Sequence, residues 1–119
     1  MKPTDIRDLV HFSPDGARRH DLFETTHLWS EVVCLQDNQR LGPIGDERSD
    51  GLVVVLAGRI AVQVGKGRAR IGQWESVTVP AGSDLTLANA SDEASVVLLV
   101  TAPPPGGDGD AVDHAGPVP

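Results

Sequence analysis

The sequence predicts an all-β domain, an antiparallel sandwich or barrel, on three observations. Short strand-like runs recur from Leu22 onward, and Gly, Pro, Asn or Asp residues separate them. The apolar residues are mainly Val, Leu, Ala and Ile, with two Trp, two Phe and no Tyr, which favours sheets over large helices. The 119 residues suffice for one hydrophobic core but not for two.

The order of the elements follows from the turn residues. A short helix with Thr4 as its N-cap is expected within an N-terminal extension over residues 1–21. The barrel is expected over residues 22–103. After Ala102 the chain has three prolines and almost no bulky side chains, so residues 104–119 are predicted to be a disordered Pro/Gly/Asp tail. Strands are predicted at 22–29, 30–36, 52–57, 59–64, 68–71, 76–79, 84–88 and 94–101.

Charge and cysteine content exclude several classes of function. The net charge of −7 offers no electrostatic footprint for nucleic acid or an anionic membrane. Cys34, the single cysteine, lies in an apolar run and is expected to be a buried, unreactive side chain. The N-terminus lacks the apolar segment of a signal peptide, and no run approaches membrane-spanning length, so a cytoplasmic protein is expected.

Two stretches of the sequence carry a family resemblance. In the first, an apolar run from Gly51 reaches Gly58, and a second apolar run leaves it. In the second, a strand-like run reaches Pro80-Ala81-Gly82 and is followed seven residues after the last of these by Asn89. In this order, and over roughly residues 23–103, they resemble the two conserved regions of the cupin superfamily. The resemblance implies a single small cupin barrel (a jelly roll or double-stranded β-helix).

The family's metal ligands do not carry over onto this sequence. In the family, a His-x-His pair, a Glu and a later His converge on one metal ion inside the barrel. The His-x-His positions fall on Ile44 and Asp46, the Glu position falls on Gly51 (or on Asp50 with a shift of one residue), and the last His position falls on Leu85. Because metal sites need nitrogen, sulfur or several carboxylate donors, the resemblance implies a barrel with degenerate motifs, no metal and no cofactor.

The pocket left behind is expected to be apolar. If Gly51 and Leu85 face the interior, strand alternation places Val53, Val55 and Leu87 on the same inner face. Trp29 is either a core or interface aromatic or a ligand platform, and the same choice applies to Trp74. The candidate pocket residues are His27, Trp29, Ile44, Asp46, Asp50, Val53, Val55, Leu85 and Leu87.

Three functions remain open from the sequence. The first is a metal-free cupin that binds a small molecule. The second is a metal-independent enzyme (an isomerase, lyase or cyclase) that uses Asp46, Asp50 or His27 for proton transfer. The simpler interpretation of the two aspartates is a solvated loop, and that of His27 is a surface or structural residue. Because the chain has no Tyr, the His-base and Tyr-acid mechanism of the superfamily's sugar epimerases is not carried over.

The third possible function is that of a homodimeric structural or regulatory protein, since small cupins resemble one another in forming homodimers that cover strand edges.

Overall fold

The structure, a computed structural model, describes residues 1–106, which form one short 3-10 helix (Ile6–Leu9) and nine strands. Of the predicted elements, only the tail beyond residue 106 lies outside the described residues. No helix in the described part of the chain is long and apolar enough to cross a membrane. The strands are β1 (Arg18–Glu24), β2 (Trp29–Leu35), β3 (Arg40–Ile44), β4 (Asp50–Ala57), β5 (Arg59–Val64), β6 (Gly67–Gly72), β7 (Ser76–Val79), β8 (Leu85–Ala88) and β9 (Ser95–Ala102).

The strands form two sheets that pack face to face, which confirms the all-β prediction. The larger sheet has the order β1-β2-β9-β4-β7 and the smaller β3-β8-β5-β6, with antiparallel pairing. Alternate side chains of each strand point between the sheets, so that Val53 and Val55 of β4 share one core with Ile60 of β5 and Leu87 of β8. The order of the strands brings the start of β8 and the ends of β3 and β9 to the same end of the barrel.

Two strand predictions were wrong. β3 was missed because Gly42 and Pro43 interrupt its apolar pattern, and both residues normally mark turns. The predicted strand at 22–29 begins earlier, at Arg18, and ends at Glu24. Residues 25–28 form a turn instead, in which Thr25 Oγ1 accepts hydrogen bonds from the backbone N–H groups of His27 (3.2 Å) and Leu28 (3.1 Å). A threonine that bonds its own backbone favours a turn over a strand.

The N-terminal segment covers part of the outer face of the larger sheet. Its 3-10 helix has Asp5 as N-cap rather than Thr4, because the Asp5 carboxylate accepts a bond from the Arg7 N–H at 3.0 Å and also pairs with the Arg7 side chain. Apolar side chains around this helix, among them Leu9 and Phe12, pack over Cys34 and its neighbours on β2 and β9. Cys34 is buried as predicted, and burial raises the pKa of its thiol.

Two of the motif residues have defined structural roles. Gly58 turns the chain from β4 into β5 with φ of +81°, and a Cβ atom at this position would lie 2.6 Å from the Ala94 carbonyl oxygen. Asn89 is buried, and its Nδ2 donates to the carbonyl oxygens of Leu35 (3.0 Å) and Glu93 (2.7 Å). Asn89 therefore ties the loop after β8 to the end of β2, so both residues maintain the barrel whatever it binds.

Candidate functional site

A cavity of about 620 Å³ opens between the sheets at one end of the barrel. Its apolar surface comes from Ile44 and Leu85 of the smaller sheet and from Val79 and Leu99 of the larger sheet. Polar groups lie around this surface, on β1, in the loop between β3 and β4, and at the end of β9. The arrangement is that of a typical small-molecule site, a concave and mostly apolar space with a few polar groups.

The four positions at which the resemblance would place metal ligands converge on this cavity. Ile44 and Leu85 are cross-strand partners of β3 and β8, while Gly51 lies on β4 and Asp46 in the loop after β3. All four line the cavity. Counting along the sequence from the motifs therefore identified four residues that lie together in the structure, although β3 itself was not predicted.

The side chains at these four positions do not fit a metal ion. Ile44 and Leu85 are hydrocarbon and Gly51 has no side chain, which leaves Asp46 as the one donor. Within residues 1–106, no three His, Cys, Asp or Glu side chains lie close enough together to hold a metal ion.

Asp46 instead holds the segment that follows β9. Its Oδ2 accepts a hydrogen bond from the N–H of Gly106 at 2.7 Å, and its Oδ1 accepts one from the N–H of Arg48 at 2.8 Å. Ser49 Oγ lies 3.2 Å from Asp46 Oδ1 and 2.7 Å from the carbonyl oxygen of Pro103. Residues 103–106, which we call the strap, are thereby fixed at the cavity, and Pro105 and Gly106 form part of its wall.

The attachment of the strap is expected to weaken in acid. The hydrogen bond donated by the Gly106 N–H is the main cause that lowers the pKa of Asp46, and the bond from Arg48 N–H adds to it. A carboxyl group whose pKa is lower in the folded state stabilises the fold above its ordinary pKa, and this contribution is lost as the pH falls through that range and below it. We therefore expect Asp46→Asn to be less stable than the parent at pH 7, with a smaller difference at pH 3.

Urea unfolding of both proteins at the two pH values measures this difference. Asp92→Asn, an equal change of charge in the exposed turn between β8 and β9, serves as the control and is expected to show little difference at either pH. A difference between the parent and Asp46→Asn that stays constant from pH 7 to pH 3 would contradict the assigned role of the ionised carboxylate.

A polar cluster on β1 and β2 forms another wall of the cavity. Arg19 donates from Nε to Glu31 Oε1 and from Nη2 to Glu31 Oε2, each at 2.7 Å. The Glu31 side chain is 1% exposed and that of Arg19 19%. The Arg19 Cζ atom lies 5.8 Å from the ring centroid of Trp29, whose Nε1 donates to Asp21 Oδ1 at 3.1 Å. Arg19, Asp21 and Trp29 line the cavity, and Glu31 lies behind them.

The other predicted pocket residues do not line this cavity. Val53, Val55 and Leu87 face the interior as predicted but lie deeper, fully buried in the core. Asp50 is exposed and accepts a bond from the N–H of Ala81 at 3.0 Å, and His27 is exposed in the turn after β1. Of the three residues proposed for proton transfer, only Asp46 lines the cavity.

The two tryptophans have different environments. Trp29 is 7% exposed at the cavity, whereas Trp74 is 73% exposed in the turn between β6 and β7, with φ of +75°. Trp74 is therefore not a core residue.

Comparisons with known proteins identify the fold. No protein-family model matches the sequence, and no curated protein matches it either. Among solved structures, a protein from Thermus thermophilus has a TM-score of 0.84 at 26% identity, covering 88% of this chain and 100% of that one. A conserved protein with a double-stranded β-helix domain from Klebsiella pneumoniae has a TM-score of 0.81 at 16% identity, covering 87% of this chain and 90% of that one.

A sugar phosphate isomerase of the cupin superfamily, from Silicibacter pomeroyi, has a TM-score of 0.68 at 18% identity, with 76% of this chain and 61% of that one covered. These likenesses confirm the fold that the sequence resemblance implies. The chain has the cupin fold, a double-stranded β-helix.

Proposed function

We propose that this cupin binds a small organic molecule in the cavity without the help of a metal ion. The observation that carries the proposal is the convergence of Ile44, Gly51 and Leu85 on an open cavity. At these positions hydrocarbon side chains, or none at Gly51, stand in place of donor atoms, and the remaining space stays open as the cavity. A volume of about 620 Å³ is within the usual range for small-molecule sites.

The geometry favours binding over catalysis. A metal-independent isomerase, lyase or cyclase needs an acid and a base that reach the same substrate. His27 and Asp50 do not line the cavity, and the Asp46 oxygens already accept bonds from Gly106 and Arg48. We therefore place the enzyme second, as an alternative that would need a proton-transfer group outside those three residues.

Thermal unfolding in the presence of a panel of metabolites tests the proposal. Thr101 lines the cavity at the end of β9, so Thr101→Trp is expected to fill part of it. Thr4 is exposed ahead of the 3-10 helix and does not line the cavity, so Thr4→Trp is the control. At least one compound is expected to raise the Tm of the parent and of Thr4→Trp, but not that of Thr101→Trp. A panel that leaves every Tm unchanged, or shifts that persist in Thr101→Trp, would contradict the proposal.

The metal-free part of the proposal has its own measurement. Elemental analysis and native mass spectrometry on protein purified without a metal-affinity step are expected to give the mass of the chain alone. A stoichiometric metal would contradict the assignment, and Asp46 would then be the first residue to replace.

We also infer that the protein forms a homodimer through the outer face of the larger sheet. Phe23 is 46% exposed there and Leu52 36%, and the half-buried side chains of Val54, Leu98 and Val100 lie beside Leu52 on the neighbouring positions of β4 and β9. These five side chains carry no charge, so two copies related by a twofold axis can bring them together without repulsion. Light scattering at micromolar concentration is expected to give the mass of a dimer, and the mass of a monomer would refute the inference.

A further inference from the structure

We propose that the cavity selects an organic cation, a primary or quaternary amine attached to a compact apolar body. This inference rests on the proposed function, since it names the chemical class of the molecule bound at the same site. The cavity defines the site, and the charges on its wall decide which molecules it accepts.

The charges on the described part of the lining are unbalanced. Asp21, Glu24 and Asp46 contribute three carboxylates, and Arg19 contributes the one cation found there. The Arg19 guanidinium is already engaged by the buried Glu31 carboxylate through two bonds of 2.7 Å, so this pair is close to neutral as seen from the cavity. The described lining therefore carries more negative than positive charge, and a cleft with low-dielectric walls strengthens the field of this excess.

Asp46 retains its charge in this setting. The N–H groups that bind its carboxylate are backbone donors, which favour the ionised form, and the nearby charge of Arg48 favours it as well. A ligand that carried a phosphate or a carboxylate would meet this excess of negative charge and, in Arg19, a guanidinium that already has a partner. An anionic ligand is therefore disfavoured.

The apolar part of the cavity suits the rest of such a ligand. Trp29 lines the cavity with its N–H already donated to Asp21 at 3.1 Å, so the indole adds apolar surface and no free donor. Leu85 and Leu99 lie on the two sheets that enclose the space. A hydrocarbon or aromatic body can bury itself there, with its amine directed toward the carboxylates of Asp21, Glu24 and Asp46, which we call the acidic rim.

Three probes with the same phenyl group and different charge test the inference. They are 2-phenylethylamine, 2-phenylethanol and 3-phenylpropionate, titrated at pH 7 and followed by tryptophan fluorescence. In a Trp74→Phe background the signal comes from Trp29 alone, since the chain has two Trp. The amine is expected to bind about tenfold more tightly than the carboxylate. The affinity for the amine is expected to fall as salt is added.

Replacing one rim carboxylate identifies the source of the preference. Glu24→Gln removes a charge from the exposed end of β1. This variant is expected to lower the affinity for 2-phenylethylamine several-fold and to leave the affinity for 2-phenylethanol unchanged. Asp92→Asn makes the same change of charge in the loop that joins β8 to β9, at the opposite ends of these strands from the cavity, and is expected to leave both affinities as they were.

The outcomes separate this inference from the function on which it rests. Binding of 3-phenylpropionate as tightly as 2-phenylethylamine would overturn the cation preference and leave small-molecule binding standing. Failure of all three probes to bind would also overturn the cation preference. The metabolite panel with Thr101→Trp tests the proposed function separately. An equal loss of amine affinity in Glu24→Gln and Asp92→Asn would show that overall charge, not the rim, attracts the amine, and would overturn the assigned site.

Discussion

Arg19→Met is expected to lower the free energy of unfolding by about 3 kcal/mol or more, a large part of the stability of a small domain. The loss of stability comes from the Glu31 carboxylate, which stays buried when Arg19 is replaced. The Glu31 side chain is 1% exposed, and without Arg19 its carboxylate would remain inside the barrel with neither of its two 2.7 Å bonds. Removing one member of a buried ion pair therefore costs far more than the net contribution of the pair itself.

Urea unfolding with two further variants checks this explanation. Arg7→Met makes the same change in an exposed ion pair, where Arg7 and Asp5 have side chains 88% and 45% exposed, and is expected to leave the midpoint almost unchanged. The double variant Arg19→Met with Glu31→Leu removes both charges and is expected to recover most of the lost stability. If the double variant is as unstable as Arg19→Met alone, the unpaired carboxylate is not the cause.

Gly58→Ala is expected to cost a similar amount, about 3 kcal/mol, for a different reason. The φ of +81° at Gly58 is unfavourable for any residue with a Cβ atom. In addition, the new Cβ would lie 2.6 Å from the Ala94 carbonyl oxygen and 2.7 Å from Ser95 Oγ, so the backbone between β4 and β5 must move away from the start of β9.

Gly65→Ala is the control that separates strain from crowding. Gly65 also has a positive φ, of +57°, but no atom outside its immediate neighbours lies within 4 Å of the position that the alanine methyl group would take. Only the backbone strain remains, so the expected loss is about 1 kcal/mol. Equal losses in the two alanine variants, measured by urea unfolding, would show that crowding at Gly58 contributes nothing.

The sequence predicted the fold well because its turn residues and apolar alternation agree with each other over most of the chain. β5 and β7 have the predicted bounds, and the motif residues Gly58 and Asn89 lie where the barrel needs them. The prediction failed where a local signal competes with tertiary pairing. β3 pairs with β8 although it contains Gly42 and Pro43, because the start of β8 offers a partner that the sequence pattern cannot show.

The candidate site was predicted in part. Counting from the motifs located Ile44, Asp46 and Leu85, which line the cavity, but alternation along a strand gives the face of a residue and not its depth. Val53 and Val55 were therefore placed on the correct face and at the wrong depth. The Arg19–Glu31 pair was missed because charged residues near an irregular strand resemble a solvated surface, and the irregularity between Asp21 and Phe23 hides the alternation of β1.

The burial of Cys34 provides a way to measure how often the N-terminal segment separates from the larger sheet. The thiol lies on the outer face of β2, beneath side chains that include Leu9 and Phe12. A thiol reagent in solution can reach it only after those side chains separate from the sheet, so the rate of labelling under native conditions measures how often that separation occurs. Since the chain has one cysteine, the unmodified protein already carries a single chemical probe for the local opening of its N-terminus.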